Sequence, residues 1–281
     1  MDPSAQRTFE LKFLVDDRQA AAVIQWARAN LVGDPFALAA ADDEYQISSL
    51  YFDTPAFDIF RRAPGFRRRK FRIRRYGMEP IVWLERKRKR KGIVSKRRFA
   101  IAASEFETRF SALNNRGAAN DRDESITTDA AQKWEGDWFV EALCKRQLTP
   151  ACQVAYRRFA RVGGPESSRV RLTVDSEVRG IATAAWRPPQ PDVYAALLAP
   201  KRHIVELKFA DTMPNAFRGL IEHLGLVASG FSKFRAAMAA CYDLPRQDPQ
   251  AGETPVLSPS NGELVTETTP PVTLASRIRD A

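Results

Sequence analysis

Arginine, lysine and carboxylate side chains recur at every second position in several separated stretches of this chain. They are Glu10 and Lys12 in Phe-Glu-Leu-Lys-Phe (9–13), Arg72 and Arg74 in Phe-Arg-Ile-Arg (71–74), and Glu85 and Lys87 in Val-Trp-Leu-Glu-Arg-Lys (82–87). Arg171 and Asp175 follow in Val-Arg-Leu-Thr-Val-Asp (170–175), then Glu206 and Lys208 in Val-Glu-Leu-Lys-Phe (205–209). Successive side chains of a strand project to opposite faces. Each segment therefore carries one ionic face and one apolar face. A guanidinium offers phosphate oxygens a bidentate fork, and an ammonium offers a point charge. Arg72, Arg74, Lys87, Lys96, Arg98, Arg158, Arg171 and Lys208 are the cations suited to hold a phosphate chain. The carboxylates Glu10, Glu85, Asp175 and Glu206 have two uses on such a face. They can relieve repulsion between cations, or they can hold the Mg²⁺ or Mn²⁺ that accompanies a triphosphate.

Composition narrows the alternatives. The 281 residues suffice for one large domain, and 44% hydrophobic content can fill its core. A net charge of +10 implies either an anionic partner or a solvated basic surface. The charge is concentrated: Arg61–Arg98 holds 18 Lys/Arg and only two acids, Glu79 and Glu85. Apolar residues punctuate that stretch, so it reads as folded hairpins and not as a basic tail. Neither a Walker-type nor a dinucleotide-type glycine loop occurs, so any nucleotide phosphates must be held by side chains. Two histidines, His203 and His223, argue against a zinc centre or a histidine-based triad. Three cysteines without metal-ligand spacing read as free thiols in a reducing compartment. The N-terminus lacks an apolar signal core and no stretch is long enough to span a bilayer, so a cytoplasmic protein is expected. It could still dock on a membrane-protein partner.

The elements that must position these groups are legible from periodicity and punctuation. Strands are expected over 7–15, 45–53, 67–76, 81–90, 93–101, 152–162, 169–178 and 203–210. Helices are expected over 18–31 behind an Asp16-Asp17 cap, near 56–62, over 129–146, and as a final pair at 215–224 and 232–241. Residues 111–125 read as a polar insertion loop. One domain spans 1–245; 246–281, rich in Pro, Ser and Thr, reads as a mostly disordered tail. The fold class is α+β: an antiparallel β-barrel tunnel with a charged interior and helices packed outside. An open sheet with one solvent face gives the same alternation, but such faces are usually mixed polar, not stacked Arg, Lys and Glu.

The chain resembles the VTC domain, the polyphosphate-polymerase domain of the vacuolar transporter chaperone complex, within the triphosphate tunnel metalloenzymes. The resemblance rests on Phe-Glu-Leu-Lys (9–12), Ser-Leu-Tyr-Phe-Asp-Thr (49–54), Arg-Ile-Arg-Arg-Tyr-Gly (72–77), Leu-Glu-Arg-Lys (84–87) and Ser-Lys-Arg-Arg-Phe (95–99). Tyr-Arg-Arg-Phe (156–159), Arg-Leu-Thr-Val-Asp (171–175), Val-Glu-Leu-Lys-Phe (205–209) and Phe-Ser-Lys-Phe (231–234) complete it, in order. It implies a tunnel in which Lys12, Lys96, Arg98, Arg171, Ser232 and Lys233 bind phosphate. Arg72, Arg74, Lys87, Arg158 and Lys208 would act on the transferring group. Glu206 would carry Mn²⁺ or Mg²⁺, with Glu10 and Glu85 as further carboxylates. The superfamily's first strand often reads Glu-x-Glu-x-Lys; here Thr8 replaces the first glutamate, which throws weight onto Glu206. Arg158 is preferred to Arg157 because it shares a face with Tyr156.

The expected activity is ATP-dependent polyphosphate synthesis, with ATP and inorganic polyphosphate as partners. A triphosphatase uses the same phosphate wall, and a non-catalytic polyanion-binding module is a third reading. Nucleic acid fits less well, because interleaved carboxylates repel its backbone.

Overall fold

The computed structural model describes residues 8–36, 43–67, 69–90, 93–106, 108–110, 113, 134–164, 170–191, 195, 197–245, 256–257 and 264–265. Nine strands form one sheet: β1 (Thr8–Val15), β2 (Val32–Gly33), β3 (Glu44–Asp53), β4 (Arg69–Tyr76), β5 (Ile81–Arg90), β6 (Ile93–Ala102), β7 (Thr149–Val162), β8 (Arg171–Ala182) and β9 (His203–Ala210). The order is β1-β9-β8-β7-β3-β4-β5-β6, with β2 also on β7 and every pairing antiparallel. The helices are α1 (Asp17–Asn30), α2 (Asp58–Arg61), α3 (Asp137–Lys145), α4 (Asn215–His223) and α5 (Lys233–Cys241).

Register puts the ionic residues on one face throughout. Lys12 pairs with Glu206, Glu10 with Lys208, Arg171 with Lys208, Arg158 with Asp175, Arg72 with Glu85, and Glu85 with Arg98. The sheet path starts at β1 and ends at β6, and among the described residues no strand pairing joins those ends. One ion pair reaches across the gap. Lys87 Nζ on β5 lies 3.3 Å from Glu10 Oε2 on β1. On the free edge of β1, Ala228 bridges Phe13, and the Ser229 N–H donates to the Lys12 carbonyl at 2.6 Å. The sheet thus rolls around its ionic face.

The outer face is apolar and covered. Leu11, Phe13, Leu172, Val174, Val205 and Leu207 pack with Val23 and Ala27 of α1 and Phe217 and Leu220 of α4. Phe71, Ile73, Val82, Leu84 and Phe52 pack with Phe139 and Leu143 of α3. Asp16 caps α1 by accepting from the Gln19 N–H at 2.8 Å. Helix α5 differs from the others: its first turn meets the ionic face. Phe234 lies 5.3 Å from the Tyr51 ring, and a methyl at Gly180 would come within 2.9 Å of the Ala237 Cβ. Glycine there permits the close approach.

One expectation needs adjustment, and two others fall almost entirely outside the described residues. The helix expected from residue 129 is described only from Asp137; the Trp134 N–H donates to Asp137 Oδ2 at 3.1 Å, a turn that ends at Gly136. Residues 129–133 lie outside the described residues, as does nearly all of the expected loop 111–125. Of the tail, Val256–Leu257 and Leu264–Val265 pair as β10 and β11, and the rest lies outside the described residues. Cys144, Cys152 and Cys241 are free thiols. Among the described residues no helix is long and apolar enough to cross a membrane.

Candidate active site

The interior gathers side chains from eight strands and one helix start. Lys12 Nζ sits between two carboxylates, 2.8 Å from Glu10 Oε1 and 3.2 Å from Glu206 Oε2. Lys208 pairs with the other Glu206 oxygen, and Lys87 reaches Glu10 from β5. Arg158 grips Asp175 with both arms, Nε to Oδ1 at 2.6 Å and Nη2 to Oδ2 at 2.7 Å. Lys233, the first residue of α5, also pairs with Asp175 and lies over the Tyr156 ring. Arg72 donates through Nε to Glu85 Oε2 at 2.6 Å and through Nη1 to the Tyr51 hydroxyl at 3.1 Å. Arg98 Nε lies 3.3 Å from Glu85 Oε1.

Some cations carry no carboxylate partner among the described residues. Arg74 donates to Ser49 Oγ at 3.4 Å and to the Tyr156 hydroxyl at 3.3 Å. Lys70 donates to Ser232 Oγ at 2.8 Å. Lys96 makes no ion pair among the described residues. The wall therefore has a surplus of positive charge. Two like charges about 4 Å apart repel by roughly 4 kcal/mol at an effective dielectric of about 20. Interleaved carboxylates offset part of this, and the remainder would be relieved by an anion.

The protonation preferences follow from that crowding. Burial would raise the Glu10 pKa and so would Glu206, but Lys12, Lys87 and Lys208 outweigh them and hold it at about 2. Burial likewise opposes ionisation of Glu85, which Arg72 and Arg74 hold at about 2, and of Asp175, which Arg158 and Lys233 hold at about 2. Burial also opposes the charge on Lys12; Glu206 and Glu10 keep its ammonium protonated well above the usual lysine range. The lysines without such support move the other way. Burial, then Lys12 and Lys87, push Lys70 well below the usual range. Burial by surrounding protein, then Lys208 and Lys87, lower Lys96 to about 8.

All the site residues expected from sequence lie on this face or at its rim. Lys12, Arg72, Arg74, Lys87, Arg158, Lys208 and Lys233 line the interior, with Ser232 at the cap of α5. Arg98 stands near one mouth, over Trp83 and bonded to the Tyr76 hydroxyl at 3.2 Å. Arg171 is at the same mouth, on Asp34 at 2.7 Å and the Tyr45 hydroxyl at 3.0 Å. The choice of Arg158 agrees with the geometry, since Arg157 pairs with Glu44 and Glu177 instead. The expected carboxylate set divides. Glu10 and Glu206 converge on Lys12, whereas Glu85 is bound between Arg72 and Arg98 and does not share that pair's cation.

Sequence reasoning missed Lys70, Tyr51, Tyr156 and Thr173. Lys70 and Thr173 were available by parity, two residues from Arg72 and from Arg171 and Asp175. Thr173 Oγ1 is buried with no hydrogen-bond partner among the described residues, and its ladder partner is Glu206.

Two carboxylates that reach a single cation, beside an unpartnered hydroxyl, form an oxygen set suited to a hard divalent ion completed by phosphate and water. Among the described residues no group of three or more His, Cys, Asp or Glu could hold a metal unaided.

Known structures resemble this one at low identity. A Bacillus halodurans protein proposed to be an adenylate cyclase is 14% identical with a TM-score of 0.45, over 81% of this chain and 94% of its own. A Hippeastrum protein, proposed as an adenylyl cyclase and described as having a dominant triphosphatase activity, is 14% identical with a TM-score of 0.44, over 85% and 99%. A Pyrococcus horikoshii protein is 12% identical with a TM-score of 0.41, over 83% and 96%. No curated protein matches the sequence. The VTC domain profile matches residues 7–242, nearly the whole described fold, and the chain belongs to the VTC domain family.

Proposed function

We propose that this protein is an ATP-dependent polyphosphate polymerase. The observation that carries the reading is the ionic face itself: Lys12, Lys70, Arg72, Arg74, Lys87, Arg158, Lys208 and Lys233 gather on one side of the rolled sheet with carboxylates interleaved among them. In the proposed reaction a terminal oxygen of a polyphosphate chain attacks the γ-phosphorus of ATP. A new P–O bond forms, the bond to the β–γ bridging oxygen breaks, and ADP leaves with that electron pair. The attacking oxygen is already ionised, so no base is needed. Phosphoryl transfer of this kind depends on alignment and charge neutralisation. Arg72, Arg74 and Arg158 supply planar donors for equatorial oxygens, and Lys208 and Lys87 supply mobile charge.

Hydrolysis would need an activated water. Glu10, Glu85 and Asp175 are poor bases for that task, because their cation partners hold their pKa values at about 2. Transfer to phosphate needs no such base, and a product assay separates it from hydrolysis. Glu206 and Glu10 are the residues that would hold Mn²⁺ or Mg²⁺, and a bound divalent ion would neutralise charge on the phosphates. Three free thiols fit a cytoplasmic setting, and a membrane-protein partner that receives the product is compatible with it.

The rim supports a nucleotide as donor. Phe36, 60% exposed, stacks on Tyr76 at 5.9 Å and 12°, with Tyr45 6.0 Å from the same ring. A base could lie against this ladder while its phosphates enter. Phe36→Ala should then weaken ATP binding and spare tripolyphosphate; equal weakening of both would remove the base from this rim.

The direct test is incubation with ATP and Mn²⁺, with products separated by size. Long polymer with matching ADP is expected. Orthophosphate alone would assign a hydrolase, and binding without turnover under any metal would leave a polyanion-binding module.

A further inference from the structure

The outer face of the β4–β5–β6 hairpins carries a second cationic array, separate from the interior. The ladder sets Arg69 opposite Arg88 and Arg86 opposite Arg97. Like charges directly opposed across strands weaken a sheet. Arg146, just past the end of α3, faces the same group, lies over the Phe66 ring at 5.4 Å and donates to the Gly65 carbonyl at 3.4 Å. Arg86 and Arg97 both lie over Trp138, at 5.6 and 4.6 Å from its centroid. Partial burial and then neighbouring arginines lower the pKa of Arg69 and of Arg86. No carboxylate among the described residues forms an ion pair with any of the five. A solvated basic surface would spread such charges apart or alternate them with acids. Here they converge on a rigid sheet-and-helix platform.

Position relates this array to the tunnel. Lys87 and Lys96 are ladder partners on the inner face, and their sequence neighbours Arg86 and Arg97 are ladder partners on the outer face. Arg88 lies two residues beyond Arg86 on the same face. A polyanion that leaves the interior over this end of the hairpin would pass from inner lysines to outer arginines without a break in positive charge.

We propose that the arginine platform formed by Arg69, Arg86, Arg88, Arg97 and Arg146 binds a run of inorganic polyphosphate outside the tunnel, retaining the chain while its end is inside. This rests on the polymerase reading for its purpose. The chemistry favours bare phosphate over nucleic acid, because guanidiniums already occupy faces of Trp138 and Phe66, the aromatics that could otherwise stack bases.

The test measures binding of long-chain polyphosphate and of tripolyphosphate to the full chain carrying Arg86→Gln, Arg88→Gln and Arg97→Gln. A second variant, Arg146→Gln, lies off the ladder and guards against loss of folding in the first. Long-chain affinity should fall about tenfold or more in the triple variant, with a shallower salt dependence. It should fall less in Arg146→Gln, and tripolyphosphate affinity should stay unchanged in both. Unchanged long-chain affinity, or equal loss for both ligands, overturns the platform. Single-stranded RNA binding as tightly as polyphosphate, and lost in parallel, overturns its assignment to polyphosphate. Wild-type protein that makes no polymer yet shows the chain-length-selective loss would sink the polymerase reading and leave the platform standing.

Discussion

Arg72 commits Nε and Nη2 to Glu85 and Nη1 to the Tyr51 hydroxyl, so its orientation is set before any ligand arrives. Lys208 is held more simply, with Glu206 its one ion-pair partner among the described residues, and its flexible stem can turn to a phosphate. That difference makes Lys208→Ala the cleaner test of the interior. Polymer synthesis should fall about a hundredfold or more, the scale seen when one charge-stabilising donor is removed, while the melting profile stays near wild type. Wild-type turnover in this variant would refute the role. Lys96 offers a test through pH. Desolvation and then Lys208 and Lys87 lower its pKa to about 8, and a neighbouring triphosphate would favour the protonated form. Binding near pH 8 should therefore take up protons, and affinity should decline as pH rises past 8. Calorimetry in buffers of differing ionisation heat reads the uptake directly, and Lys96→Gln should diminish it. No difference between wild type and variant would remove Lys96 from the phosphate path.

The short helix α2 depends on Asp53, a buried carboxylate at the end of β3 within the Ser-Leu-Tyr-Phe-Asp-Thr motif. Asp53 accepts from the N–H groups of Thr54 and Ile59 at 2.8 Å and Phe60 at 3.0 Å. Its position in a family motif thus has a structural explanation. Asp53→Ala strands three buried donors and should cost about 2 kcal/mol or more, lowering Tm by roughly 4–8 °C, with little change in tripolyphosphate affinity per folded molecule. An undiminished Tm would show that other groups satisfy those donors. At this scale the sequence was readable where a period of two persisted: β5 was expected over 81–90 and β9 over 203–210, the spans observed. Alternation imposed by one polar and one apolar face leaves a local record. Contacts made by closure leave none. The Lys70–Ser232 bond and the Ala228 bridge on β1 each join residues more than 150 positions apart, and Lys233 of α5 reaches Asp175 58 positions away, so no spacing announces them. Two-residue β2 was too short to show a period, and the α3 boundary depended on the Asp137 turn more than on apolar repeat.

Across the whole molecule, the apolar cores outside the sheet must oppose the repulsion they enclose. Phe13, Phe71, Phe139 and Phe217 are almost fully buried, and each truncation to alanine would cost about 3–5 kcal/mol. Inside, the carboxylates are an essential part of that balance. Glu10, Glu85 and Asp175 have folded pKa values of about 2 against ordinary values of 4.5, 4.5 and 3.8. Depressed carboxylates contribute stability that is present above the ordinary value and lost as pH falls toward the folded one. The empty protein should therefore lose stability between about pH 4.5 and 2, as positive charge goes unopposed. The same surplus makes an anionic ligand a stabiliser at neutral pH. A ligand at about 100 times its Kd adds about 2.7 kcal/mol, which corresponds to a rise in Tm of roughly 5–10 °C for a domain of this size. Tripolyphosphate should produce that rise in wild type and much less in Lys208→Ala. It should do so undiminished in Arg146→Gln, whose guanidinium lies outside the barrel. Equal rises in all three would place the stabilising anion somewhere other than the interior, and a Tm indifferent to tripolyphosphate would mean that the enclosed cations are balanced without it.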